Sequence, residues 1–169
     1  MERDFSEILK KLHAIEIDYA DGDGIDFEPF DSFSSKEETS DWIKAWTGND
    51  SLDGNEYLIF GMDGTGGYVA FWCVRQDEDL LEQPIVFFGS EGEVGVVAQN
   101  FNDYVWLFAN GVGPYEAVSY PELDRPRNPE FTNFATNYSS SNESSSIDII
   151  KRAKNEFPDF EEKIDLLCQ

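Results

Sequence analysis

The chain has 169 residues, with 12 Lys and Arg against 35 Asp and Glu, a formal net charge of -23, 40% hydrophobic residues and 15% aromatic ones. Its 14 Phe, 7 Tyr and 4 Trp supply enough large apolar side chains to bury one core, so the acidity does not imply a disordered polymer. The same charge argues against electrostatic binding to nucleic acid or to an anionic membrane surface, because affinity for phosphates comes from Lys and Arg displacing counterions.

Phe5, Ile8, Leu9, Leu12 and Ile15 recur at helical spacing and predict an amphipathic helix over residues 3–16. Residues 18–33 mix acids, glycines and aromatics without a period, which reads as an extended connector with Phe27, Phe30 and Phe33 tucked under the core. Ser35 followed by Glu38 is a capping-box pattern, and Gly48 marks a helix end. Between them Trp42, Ile43 and Trp46 form an apolar stripe. Trp42 and Trp46 lie one turn apart, a spacing that serves core packing or a stacking platform.

The centre is β in character. Residues 57–60, 68–74, 85–88 and 94–98 are short apolar runs separated by Gly and acidic turns, giving at least four strands, and residues 63–67 form a hairpin turn between the first two. Runs apolar at both alternating positions imply a sheet covered on one face and at least partly on the other. Asn100 caps a third helix that carries Phe101, Tyr104, Val105, Leu107 and Phe108 and stops at Gly111. Residues 113–129 hold Pro114, Pro121, Pro126 and Pro129 and read as loop or edge structure. The expected organisation is one α+β domain over residues 1–138, a mobile Ser-rich linker over 139–146, and a C-terminal helix over 147–169 restarted or kinked at Pro158.

Cys73 and Cys168 provide neither a disulfide framework nor a zinc site, and both are expected as reduced thiols. The opening Met1, Glu2, Arg3 and Asp4 lack a signal-peptide core. The longest apolar stretch, residues 68–74, is far short of the ~20 residues that cross a bilayer, so the chain is expected to be cytoplasmic and soluble.

The candidate chemistries fail one by one at this level. Asp21, Asp23 and Asp26 resemble a calcium loop superficially, but placing Gly24 at the sixth position puts Tyr19 first and Phe30 twelfth, where carboxylates are needed. The glycine-rich 61–67 turn lacks the Lys and Ser/Thr of a P-loop and carries Asp63. The single His13 has no nucleophile placed beside it by any motif, and 35 acids select no pair for hydrolysis. No enzyme activity, cofactor or metal is expected.

Between residues 45 and 124 the only basic residue is Arg75, while Asp and Glu cluster in the predicted turns. Asp63, Asp77, Glu78, Asp79, Glu91 and Glu93 are therefore the candidate contacts for a basic protein partner, with Trp106 as an aromatic anchor because it falls off the main stripe of its helix.

The order of Trp46-Thr47-Gly48-Asn49, Phe60-Gly61-Met62-Asp63-Gly64-Thr65-Gly66-Gly67-Tyr68, Pro84-Ile85-Val86, Gly89-Ser90-Glu91-Gly92-Glu93 and the helix over residues 100–111 resembles the SUKH superfamily across residues 26–115. The resemblance implies a single α+β domain with a central, mostly antiparallel sheet flanked by helices and no catalytic residues. It also implies a bacterial cytoplasmic immunity protein that binds and blocks a cognate secreted toxin, often a nuclease. The alternative within that resemblance is a scaffold of the cell-wall-synthesis-regulator type that binds an endogenous protein. Residues after 115 match nothing in the superfamily pattern, and no catalytic residue is carried over.

Overall fold

Five strands pair in chain order into one antiparallel sheet in the computed structural model, which describes residues 4–169. They are β1 (Glu28–Pro29), β2 (Tyr57–Met62), β3 (Tyr68–Trp72), β4 (Ile85–Phe88) and β5 (Val94–Ala98). Seven α-helices flank the sheet among the described residues: α1 (Glu7–His13), α2 (Lys36–Thr47), α3 (Phe101–Ala109), α4 (Pro114–Ser119), α5 (Pro129–Tyr138), α6 (Ser146–Glu156) and α7 (Phe160–Leu167). The fold is α+β, as expected.

Side chains alternate across a strand, and here both sets are apolar. Phe60, Val69, Phe71, Ile85, Phe87 and Val97 enter one core, which α1, α3, α4 and α5 cover. Tyr57, Ile59, Ala70, Val86, Phe88 and Val96 enter a second core on the opposite face, under α2 and α7. α6 serves both, with Ile149 and Ile150 in the first core and Ala153 in the second.

The local signals for α2 and α3 act as the sequence predicts. Ser35 Oγ accepts the Glu38 N–H at 3.1 Å, Glu38 Oε2 accepts the Ser35 N–H at 2.8 Å, and Gly48 takes the left-handed conformation (φ 68°) that ends α2. Asn100 Oδ1 accepts the Asp103 N–H at 2.9 Å to start α3. α1 is shorter than the expected 3–16: it starts after Ser6, and residue 3 lies outside the described residues. The connector is not extended throughout, since residues 20–22 form a 3-10 turn, and its aromatics divide: Phe27 and Phe33 pack in the first core and Phe30 against the second, with Phe27 so close to Gly61 that any Cβ at position 61 would collide with its ring.

Two expectations are corrected. The proline-rich stretch is not all loop, because Pro114 and Pro129 open α4 and α5. The first turn of a helix has N–H groups without intrahelical partners, so a residue lacking that N–H forfeits no bond there, and its fixed φ suits the helix. The Ser-rich segment is not a loose tether either. The Ser139 hydroxyl donates to the Asn102 carbonyl at 3.1 Å, the Ser140 N–H to Asn102 Oδ1 at 3.0 Å, and the Asn110 amide to the Ser144 carbonyl at 2.8 Å, which fastens the segment along α3.

The tail beyond it forms two helices broken around Pro158, and it completes the second core. Phe160 meets Trp72 at 4.8 Å and Phe88 at 6.0 Å between ring centroids. The Gln169 N–H donates to the Thr47 carbonyl at 2.8 Å, and the Asn49 amide to the Leu167 carbonyl at 2.9 Å, so α7 is stitched to the end of α2. Phe160→Ala is therefore expected to cost about 3–5 kcal/mol of global stability by urea unfolding, with a single transition. An unchanged midpoint would show that α7 is an appendage.

Candidate protein-binding surface

Strand polarity sorts the acidic turns. With β2 to β5 antiparallel and consecutive, the β2–β3 turn and the β4–β5 turn lie at one end of the sheet, and the β3–β4 connection lies at the other. Asp63, Glu91 and Glu93 are thus at one end, and Asp77, Glu78 and Asp79 at the opposite end. The candidate acids do not share one patch.

Asp63 is removed from the candidates. It is 1% exposed, and its Oδ1 accepts the N–H groups of Thr65 at 3.1 Å and Gly67 at 2.7 Å, with the Thr65 hydroxyl donating at 2.9 Å. The short acidic side chain replaces water for backbone donors that the tight hairpin turns inward, so its charge is engaged inside the turn. Trp106 is removed as well, at 5% exposure. The fastened Ser-rich segment accepts its indole N–H at the Ser141 carbonyl (3.1 Å), and the Arg127 guanidinium lies 5.8 Å from its ring centroid.

Asp77, Glu78 and Asp79 are exposed as expected. Their end of the sheet also contains Arg75, whose guanidinium donates to the Glu82 and Gln99 carbonyls and pairs with Glu156 at 3.3 Å. That cation offsets part of the local field.

Glu91 is exposed and Glu93 half-buried, and they stand beside a feature that the sequence did not disclose. A groove of about 400 Å³ runs between the β4–β5 turn and α7, with Trp46, Val94 and Ile164 as apolar wall and Glu161, Glu162 and Asp165 along α7. Among the described residues no Lys or Arg lines it. The ion pairs among the described residues engage Glu7, Glu143, Glu156 and Asp103, so the carboxylates of Glu91, Glu93, Glu161, Glu162 and Asp165 are left without a salt-bridge partner. The period of α7 was legible in Phe160 and Ile164. Nothing in one dimension says that its acidic side abuts a turn far back in the chain.

Glu116 and His13, elsewhere in the fold, are among the groups with shifted affinities for the proton. Burial raises the Glu116 carboxyl to about 7, against N–H bonds from Gly113 (2.9 Å) and Asp26 (3.2 Å) that favour the anion, while Arg125 lowers it and Asp26 raises it further. Its oxygens hold backbone at the start of α4, which makes it a clamp rather than a proton donor facing a cleft. The run Gly113-Pro114 just before it is a helix-start signal that sequence reasoning passed over. His13 is pushed below its usual range by burial among Phe5, Phe27 and Phe60, with Nδ1 hydrogen-bonded to the Phe30 carbonyl. No cluster of three or more His, Cys, Asp or Glu that could hold a metal ion occurs among the described residues, and none of their helices is long and apolar enough to cross a membrane.

No protein-family model, curated protein or solved structure matches this chain.

The buried acids and the half-buried histidine each have a measurable consequence. Asp63→Ala leaves buried turn donors without an acceptor and is expected to cost about 2–3 kcal/mol by urea unfolding. For Glu116, the folded carboxyl binds its proton more tightly than the unfolded one, so its contribution to stability is present below pH 4.5 and lost as pH rises through about 7. Glu116→Gln is expected to flatten that decline, read as the pH dependence of the unfolding midpoint. His13 acts in the opposite sense, its contribution being lost as pH falls below 6.5, so His13→Asn should flatten the acid limb instead.

Proposed function

We propose that this chain is a non-enzymatic immunity protein of the SUKH type, which binds a cognate basic bacterial toxin in the cytoplasm and blocks it sterically and electrostatically. The observation that carries this reading is the groove beside α7: Glu161, Glu162 and Asp165 line it with an apolar wall, Glu91 and Glu93 lie in the adjoining β4–β5 turn, and among the described residues no Lys or Arg lines it and none of these five carboxylates has an ion-pair partner. Uncompensated like charges repel one another, a cost that a cationic partner converts into attraction. An apolar strip beneath them, Trp46, Val94 and Ile164, provides area for desolvated contact at the centre with charge at the rim.

A nuclease is the toxin class that fits this charge best. Its substrate site is built to hold polyphosphate and is therefore basic, so an acidic protein surface competes for it directly. The net charge of -23 supports the same choice. A cell-wall-regulator-type scaffold would instead bind an endogenous protein with no basic active site.

The test starts from affinity capture in the source organism with mass spectrometry of the bound protein, followed by association kinetics with that protein. The association rate is expected to fall steeply between low and physiological salt. Glu91→Lys with Glu161→Lys and Asp165→Lys should slow it about tenfold or more, while Asp77→Lys with Glu78→Lys and Asp79→Lys should change it far less. A rate independent of salt, or a captured partner with an acidic surface, would overturn the proposal.

A further inference from the structure

A second groove lies on the other side of α2's tryptophan stripe, and it differs from the first in being walled by aromatic rings. It has a volume of about 400 Å³ and lies between α2, the residues after β1, and the sheet, with Phe30, Trp42, Tyr68 and Ile59 as its apolar lining and Asp31 and Glu38 among its polar lining. Trp42 meets Tyr68 at 5.7 Å and Phe88 at 5.0 Å, each nearly perpendicular, which fixes its ring in place. Trp42 and Tyr68 are nevertheless only half-buried. The indole of Trp46 donates to the Gly89 carbonyl at 2.8 Å, whereas the Trp42 indole N–H makes no hydrogen bond within the described residues.

We propose that this groove receives an arginine side chain from the basic protein partner, as an anchor separate from the acidic groove at α7. The occupant follows from chemistry. An anion would meet Asp31 and Glu38, and a purely apolar group would strip water from two carboxylates and give them no new partner. A long cationic side chain satisfies both parts: its methylene stem lies on Ile59 and the rings, and its charge meets the carboxylates. Arginine fits better than lysine because a planar guanidinium stacks on an aromatic wall and bonds a carboxylate through a rigid fork.

The local chain is arranged for such a guest. Asp31 is exposed and makes no hydrogen bond within the described residues, so its carboxylate is available. Glu38 has Oε2 committed to the Ser35 N–H at 2.8 Å and Oε1 uncommitted. β1, the outer strand beside the groove, ends in Pro29, which has no N–H to offer a passing strand. Recognition here is therefore by an inserted side chain rather than by an added strand. Among the described residues neither Lys, Arg nor His lines the groove, and His13, close enough to Asp31 to feel its charge, is pushed toward its neutral form by burial.

The anchor rests on the partner being basic, as the proposed function has it, and one experiment separates the two ideas. The full chain is titrated with N-acetyl-arginine N-methylamide, followed by the Trp42 indole and Tyr68 ring resonances, with the neutral citrulline analogue as control. The arginine compound is expected to shift these signals saturably. Citrulline should bind at least about fivefold more weakly, and Asp31→Asn with Glu38→Gln should weaken the arginine compound by about the same factor. That pair should leave the unfolding midpoint in place, since the amide oxygen introduced by Glu38→Gln still accepts the Ser35 N–H. Equal response to arginine and citrulline, shifts centred on Trp46 instead of Trp42, or an unaffected double variant would overturn the anchor. If the double variant still binds the captured partner like the wild type while the α7 reversals do not, the anchor fails and the proposed function stands. If the arginine compound binds as expected but the captured partner is acidic, the proposed function fails and the groove chemistry stands.

Discussion

A sheet that is apolar on both faces is the constraint from which the other features descend. Phe60, Phe71 and Phe87 on one side and Tyr57, Ile59 and Phe88 on the other cannot be left to water, so helices must cover both faces. A unit ending after β5 and α3 would lack α4, α5 and α6 on one face and would have only α2 on the other. The last two helices supply the missing layer: Ala153, Phe160 and Ile164 fill the second core, and the Ser-rich segment that leads to them is pinned to α3 on its way. The tail is thus part of the fold rather than an attachment to it.

Double coverage also decides where the charge goes. With both faces of the sheet closed, 35 acidic side chains have only strand ends, loops and outer helix faces to occupy. Some have internal duties. Asp63 organises a hairpin turn, Asp103 pairs with Arg152 at 3.1 Å and accepts from Gln99, and Glu116 holds backbone at the start of α4. Of the exposed turn acids, Glu91 stands at one end of the sheet, and Asp77, Glu78 and Asp79 stand at the other, where Arg75 also lies. At the first of these ends α7 brings Glu161, Glu162 and Asp165 alongside the β4–β5 turn.

Legibility followed the range of the interaction. Where a signal and its partner are three or four residues apart, as in Ser35 with Glu38 or Asn100 with Asp103, the sequence was sufficient, and the short apolar runs located β2 to β5. β1, two residues long with a proline, has no pattern to read. Pro114 and Pro129 were read as breakers because proline ends helices as readily as it starts them. The distinguishing fact is whether a helix follows, and for α5 that depends on Phe131 and Phe134 finding the first core. Trp106 and Asp63 were misplaced for a related reason: an off-stripe tryptophan and an acid in a glycine turn both look exposed until the cover is in place. In one case that cover is residues 139–146, and in the other it is the turn's own backbone. Asp77, Glu78, Asp79, Glu91 and Glu93 do reach the surface in some degree, yet their division between two ends of the sheet is a property of strand order alone.

The tryptophans of α2 show why the boundary of a core is a productive place to look for recognition. Trp42 and Trp46 both pack perpendicular to Phe88 at 5.0 Å, so the second core fixes their orientation. The cover ends beside them, however, because α2 and α7 leave the sheet's corner above Tyr68 and the strip before Val94 open. A ring rigidly held by the core and still wetted along part of its surface loses little side-chain entropy when a guest arrives, which is the condition under which aromatic contacts yield the most binding energy. Placing carboxylates outside such rings adds a sign preference without burying any charge in the unbound protein. The same two residues therefore do structural work on one side and present a prepared surface on the other, and stability and recognition here draw on a single packing decision at Phe88.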